Sequence, residues 1–136
     1  MGEFVISCCS TADLTEEHFK TRKISYICFH YELDGKEYAD DLGKSLPFDQ
    51  FYQAMMNGAQ TKTSQVNAEE FTEYFEGFLK EGKDILHVCL SSGISGVINS
   101  IKQRADIQCS TDKSRRLGYA ASSDIEGQVC RKEPVV

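Results

Sequence analysis

The run Asp84 to Leu90 (DILHVCL) constrains this chain more than any other segment. It is short, apolar and bounded by polar residues, which suits a buried strand better than a helix. It leads directly into Ser91-Ser92-Gly93-Ile94-Ser95-Gly96 and then into a helical stretch from about Val97 to Gln103. A buried strand that feeds a helix through a small-residue turn is one half of a βαβ unit, and such units assemble parallel sheets through right-handed crossovers. The N-terminal half follows the same grammar. Phe4 to Cys8 reads as a buried strand ending in small polar residues, and Asp13, with Glu16 three residues on, reads as the cap of a short helix reaching about Arg22. Ile24 to Leu33 (ISYICFHYEL) reads as a second strand, and the turn signal Asp34-Gly35 returns the chain through Lys36 to Tyr38 as a hairpin arm.

Two helices separate that arm from the run at 84–90. In the first, Ser45 offers a cap, Pro47 sits in the first turn, and Phe48, Phe51, Tyr52 and Met55 recur at helical spacing until Asn57-Gly58. In the second, Asn67 caps with Glu70 three residues later, and Phe71, Tyr74, Phe75, Phe78 and Leu79 form an apolar stripe ending at Gly82. Core packing is the expected use of that stripe. The expectation is an α/β fold: a small, mainly parallel sheet of about three core strands, flanking helices and a β-hairpin arm.

Composition narrows the function classes. With 136 residues the chain suits one modest core, and a net charge of −6 argues against a nucleic-acid surface, which needs concentrated Lys and Arg. Lys113-Ser114-Arg115-Arg116 is too short a basic run to change this. No stretch approaches the roughly 20 apolar residues of a bilayer span, so no transmembrane segment and at most transient membrane contact is expected. Met1-Gly2-Glu3-Phe4 shows no secretory signal, which makes the cytoplasm the expected compartment. Six cysteines occur without any Cys-x-x-Cys pair, so reduced, buried thiols are expected rather than disulfides or a metal. His87 and Cys89 share one strand face and could meet His30 or Cys8 across a sheet, the one arrangement in which a metal would be worth seeking. From about Arg104 the residues are polar without a period, and a loosely ordered or poorly packed tail over 104–136 is expected.

Two segments carry chemistry: Thr61-Lys62-Thr63-Ser64-Gln65, read as a loop, and Ser91-Ser92-Gly93-Ile94-Ser95-Gly96. Each precedes a helix, and the second leaves the C-terminal end of a strand, where open α/β sheets bind ligands. Glycine allows close backbone approach, and hydroxyls donate hydrogen bonds without adding charge. Such loops can cradle a carboxylate or a phosphate, or can serve as caps and turns. No P-loop lysine and no Gly-x-Gly-x-x-Gly is present, which disfavours a nucleotide. Ser91, Ser92 and Ser95 lack a Gly-x-Ser-x-Gly context, and nothing in the spacing places His87 beside a hydroxyl; His18 reads as a surface and His30 as a core histidine.

The order of these segments resembles the N-terminal domain of the DegV family. The matching stretches are Ser10-Thr11-Ala12-Asp13-Leu14, Leu33-Asp34-Gly35-Lys36-Glu37-Tyr38, Pro47-Phe48-Asp49-Gln50-Phe51-Tyr52, Lys62-Thr63-Ser64-Gln65 and Leu90-Ser91-Ser92-Gly93-Ile94-Ser95-Gly96, followed by Asn99-Ser100. The resemblance covers about residues 4 to 103. It gives a truncated DegV-type N-terminal α/β domain over 1–103 and a divergent stretch over 104–136, out-of-frame or prematurely ended. It implies a non-catalytic carrier of a long-chain fatty acid, with no metal and no cofactor. The fatty-acid carboxylate would be gripped by Thr63 and Ser95, with Ser10, Thr11, Ser64, Ser92, Gly93 and Gly96 lining the head-group pocket. A fatty acid kinase is the implied protein partner. One departure is plain: where the family pattern has Asp in its first Asp-Ser-Thr loop, this chain has Cys9. The competing expectations are a truncated chain with no ligand and a bare sheet edge, and an acyl-ester hydrolase acting through serine.

Overall fold

The computed structural model describes residues 3–90, 94–102, 107–111 and 125–132. The first strand, β1 (Phe4–Cys9), runs into a single 3-10 turn at Ser10–Ala12, then helix α1 (Glu16–Arg22) and strand β2 (Ile24–Ile27). Strands β3 (His30–Leu33) and β4 (Lys36–Ala39) form the hairpin, followed by helix α2 (Phe48–Met56) and strand β5 (Thr61–Ser64). Helix α3 (Ala68–Lys80), strand β6 (Asp84–Leu90) and helix α4 (Val97–Lys102) follow, then strands β7 (Ile107–Thr111) and β8 (Ile125–Lys132).

These strands build two sheets. The larger has the order β2-β1-β6-β8-β7, in which β1 is parallel to both β2 and β6 while β8 and β7 add antiparallel. The smaller is antiparallel, β4-β3-β5. The three parallel strands, the hairpin and the flanking helices are those expected from the apolar runs. The hairpin turns at Asp34 (φ 49°) and Gly35 (φ 81°), two successive left-handed residues that match the twist of the flanking strands. Asp34 also ties the turn to the approach of β5, its N–H donating to Gln60 O and its carboxylate accepting from Gln60 N, both at 2.9 Å.

Several expectations change. Ile24 to Leu33 is not one strand but two, in different sheets. The chain bends at Cys28-Phe29, where Phe29 N donates to Ser10 Oγ at 3.0 Å and Phe29 O accepts from Asp40 N at 2.7 Å, so the ladder of β2 cannot continue. The cap of α1 is Thr15, whose oxygen accepts from His18 N at 3.2 Å, whereas Asp13 is left-handed (φ 54°) and closes the preceding 3-10 turn. At α2 the N-cap is Pro47, with no side-chain cap; Ser45 instead donates through its N–H and hydroxyl to the Asp41 carboxylate. Residues 61–64 are not a loop but strand β5, paired with β3 so that Tyr31 opposes Thr63. Beyond residue 103, where the sequence suggests no element, β8 pairs along the whole of Ile85–Leu90 and β7 pairs with β8.

The core lies between one face of the larger sheet and helices α3 and α4. Alternation sends Ile85, His87 and Cys89 to that face, and they are buried there with Cys9, Val66, Phe71, Phe75, Leu79, Val97, Ile98 and Ile101. The helix α3 is placed by the expected capping box: Asn67 Oδ1 accepts from Glu70 N at 2.9 Å and Glu70 Oε2 accepts from Asn67 N at 2.8 Å. Glu70 also reaches His30 Nε2 at 2.5 Å, pinning the smaller sheet to α3, so His30 is a half-buried hydrogen-bonding partner rather than a core histidine.

Candidate functional site

The path of the chain fixes where a site can form. From β1 one crossover, through α1, places β2 on one side; the next, through the smaller sheet and α3, places β6 on the other. The carboxyl ends of β1 and β6 therefore flank a topological switch point, the position at which open α/β sheets leave a crevice. A recess of about 80 Å³ occupies it, lined by Cys8, Cys9, Thr11, Ala12, Val88, Cys89 and Leu90. That volume falls well below the roughly 300–1,000 Å³ of pockets that enclose whole small ligands.

The recess carries no charge of its own. Burial pushes the Cys8 thiol up to about 11 and the Cys9 thiol up to about 12, the latter helped by neighbouring Cys89 and Cys8. Both stay protonated at neutral pH. Beneath the recess a buried polar chain crosses the core. Tyr74 Oη lies 2.7 Å from Ser7 Oγ, Ser7 Oγ 3.0 Å from His87 Nδ1, and His87 Nε2 3.6 Å from Cys9 Sγ. A neutral imidazole has one donor and one acceptor nitrogen and completes such a chain in either direction. Desolvation pushes His87 down to about 3, which keeps it neutral, and the rings of Phe71 and Phe75 meet it edge-on. The strand register explains why its partners are Ser7 and Cys9, not Cys8 or His30: Ser7 opposes His87, and Cys8 points to the other face. Among the described residues no group of three or more His, Cys, Asp or Glu is placed to hold a metal.

The described hydroxyls singled out by sequence fall on three segments: β5, the turn before α4 and the 3-10 turn after β1. Thr63 stands on β5, solvent-exposed, on the face of the smaller sheet where Tyr31 stacks on Tyr38 and Phe51 of α2 meets Tyr31 edge-on. Ser64, also exposed, opposes His30 on the other face. Ser95 precedes α4, and its Oγ accepts from Val97 N at 3.3 Å. Ser10 is buried and spends its oxygen on Phe29 N, whereas Thr11 lines the recess. Gly96 abuts the Gln65 side chain, so that a Cβ there would come within 3.2 Å of Gln65 Oε1. Ser92 and Gly93 lie outside the described residues.

Gln65 is the residue to which sequence reasoning gave no role. Ser95 Oγ donates to Gln65 Oε1 at 3.5 Å, and Gln65 Nε2 donates to Ser100 Oγ at 3.4 Å. This one side chain joins the segment carrying Thr63 to the turn carrying Ser95. Gln65 lies one residue beyond the end of β5, and no local pattern of the sequence marked it. Among the described residues neither Ser95 nor Thr63 is hydrogen-bonded to a histidine, while His87 is committed to Ser7 and Cys9. No charge-relay arrangement is formed there.

The fold and site thus define an open α/β domain whose switch point is lined by thiols, one hydroxyl and apolar side chains. The family model described as uncharacterised proteins of the DegV family matches residues 4–117, and the chain belongs to that family. The match continues past residue 103, where the resemblance of individual motifs ends. A DegV domain-containing protein of Clostridium perfringens is 38% identical over 100 residues, covering 74% of this chain and 34% of the relative. A DegV domain-containing 15.5 kDa protein of Staphylococcus aureus is 33% identical over 105 residues, covering 76% of this chain and 72% of that one. The chain thus spans about a third of the clostridial relative's length, yet most of the short staphylococcal one. Among solved structures, a Thermotoga maritima protein described as revealing fatty acid binding function superposes with a TM-score of 0.65 at 27% identity, covering 76% of this chain and 38% of that one. A stearic-acid-binding protein of Eubacterium ventriosum shares the fold with a TM-score of 0.65 at 24% identity, over 74% of this chain and 34% of its own. No helix among the described residues is long and apolar enough to cross a membrane.

Proposed function

We propose that this chain takes part in binding a long-chain fatty acid, with Thr63 and Ser95 hydrogen-bonding the carboxylate and no catalysis, metal or cofactor of its own. The observation that supports the reading is the Gln65 side chain, which links the Ser95 turn to the segment that follows Thr63. Fatty-acid binding by solved relatives of the same fold supports it. The chemistry suits an acid of low charge density. Neutral hydroxyl donors orient a carboxylate, and the methylene chain contributes about 0.8 kcal/mol for each CH₂ it buries. Thr11 lines the recess, and Cys9, standing where the family pattern has Asp, adds no anionic group there to repel a carboxylate. Handing the bound acid to a fatty acid kinase belongs to the same proposal.

Titration of the purified chain with palmitate tests it. Thr63→Ala and Ser95→Ala should each weaken binding by about 1.5–3 kcal/mol, the contribution of a hydrogen bond to a charged group. Wild-type affinity in both variants sinks the carboxylate grip. A second reading, a chain that associates with itself and holds no ligand, is favoured by Phe4 and Ile6 on β1, which are 59% and 38% exposed. Native mass spectrometry separates the two. A co-purifying fatty acid on a single species supports the first, and an empty, polydisperse sample the second.

A further inference from the structure

The environment of Gln65 carries an inference that rests on, and deepens, this reading. Backbone on either side fixes the residue: β5 ends at Ser64, Val66 is fully buried in the core, and Asn67 caps α3. The side chain therefore starts from an anchored point and spans to α4 and the turn before it, where it meets Ser100, Ser95 and Gly96. Ser100 is almost wholly buried, so the amide nitrogen is directed at a hydroxyl with little access to water. Gly96 leaves room for the amide, because a Cβ there would crowd Oε1 at 3.2 Å.

The donors conflict once a ligand arrives. A serine hydroxyl has one proton, and Ser95 gives it to Gln65 Oε1. A carboxylate gripped by Ser95 must receive that same proton, which leaves the amide oxygen facing the Ser95 oxygen, two acceptors in contact. A primary amide resolves the conflict because its two ends are nearly the same size and opposite in polarity. We propose that Gln65 is the positioning residue of the site and that its amide turns over when the carboxylate binds. In the turned state Nε2 donates to Ser95 Oγ, and Oε1 accepts from the Ser100 hydroxyl, whose proton is free to rotate. The two contacts, at 3.5 and 3.4 Å, are near-equal and long, so neither orientation is strongly locked. Gln65 does not touch the ligand; it sets where Ser95 stands and returns a hydrogen bond when the proton of Ser95 is taken.

The full chain tests this with palmitate as the probe. Gln65→Ala, an exposed position that should not impair folding, is expected to weaken palmitate about 10-fold, the loss of one hydrogen bond's worth of affinity. Combined with Ser95→Ala it should add almost nothing further, whereas combined with Thr63→Ala the two losses should multiply. Gln65→Glu separates amide turnover from simple packing. A carboxylate at 65 accepts from Ser95 in the empty site but cannot donate to it, so binding should fall below that of Gln65→Ala near neutral pH. It should recover as the pH drops and position 65 regains a proton. Wild-type affinity in Gln65→Ala, or losses that multiply with Ser95→Ala, would overturn the assignment. The ligand-free protein gives an independent arm. Val97 N–H donates to Ser95 Oγ, so its hydrogen exchange should quicken in Gln65→Ala, and an unchanged rate would also count against the assignment. Failure of the wild-type chain to bind palmitate would instead overturn the fatty-acid reading, leaving the exchange result to judge the role of Gln65.

Discussion

Helices α2 and α3 both carry aromatic and aliphatic residues at helical spacing, yet one stripe is buried and the other faces solvent. On α3, Phe71 and Phe75 are 0% and 1% exposed, packed on His87 and against each other at 5.4 Å between ring centroids. On α2, Phe48, Tyr52 and Met56 are 56%, 60% and 82% exposed, while Phe51 turns inward to Tyr31. The caps differ in the same sense: α3 has a reciprocal capping box, and α2 begins at Pro47 without a side-chain cap. Apolar period reports that a helix has a face. Whether that face is covered depends on what the topology lays against it, and here α3 has the parallel sheet while α2 meets the central strand of the smaller sheet through Phe51.

Four measurements break or sharpen that contrast. Phe75→Ala should destabilise the fold by about 3–5 kcal/mol in urea unfolding, because it opens a cavity between α3 and β6. A loss below about 1 kcal/mol would mean that the α3 stripe is not the core. Acidification comes next. His87 is held neutral in the folded state, pushed down to about 3 from an ordinary value near 6.5, so between those pH values the unfolded chain binds a proton that the folded chain does not. Stability should therefore be level above about pH 7 and should fall as pH drops through that window, by at most about 1.4 kcal/mol per pH unit from this one group. His87→Phe should flatten the slope at the expense of a lower plateau, since Ser7 and Cys9 lose their partner. An unchanged slope would assign the acid sensitivity to other groups.

The two remaining effects are smaller. Asn67→Ala removes the side-chain half of the α3 capping box and should lower stability by about 1 kcal/mol. Met56→Ala on α2 should change it by less than about 0.5 kcal/mol, as befits a surface position. A loss comparable to that of Phe75→Ala would show the α2 stripe to be covered in solution, by a second copy of the chain for example, and sedimentation would reveal that copy.

Much of the fold was legible because it is written locally. The run at Asp84–Leu90, the capping box at Asn67 and Glu70, and the Asp34-Gly35 turn each depend on a few neighbouring residues, and each stands where the sequence put it. The expectations that changed were those in which a distant group intervened. Ser10 breaks the strand after Ile27 from nineteen residues away, and β3 recruits Thr61–Ser64 as a strand although threonine, lysine and serine show no apolar alternation. The polar stretch beyond residue 103 yields β7 and β8 because β6 offers an edge with open backbone groups, something no window of the sequence displays.

For the site, the sequence supplied the chemistry and the tertiary structure supplied the acquaintance. Hydroxyl-rich segments at 61–65 and 91–96 were visible as residue types suited to a carboxylate. That Gln65 would be the side chain joining them, and that His87 would be spent on Ser7 and Cys9 rather than on a serine at the rim, follows only from the register of β1 on β6 and the placement of α4. Donor and acceptor capacity is a property of a residue alone. Which donor meets which acceptor depends on how elements dozens of residues apart in the chain are packed together.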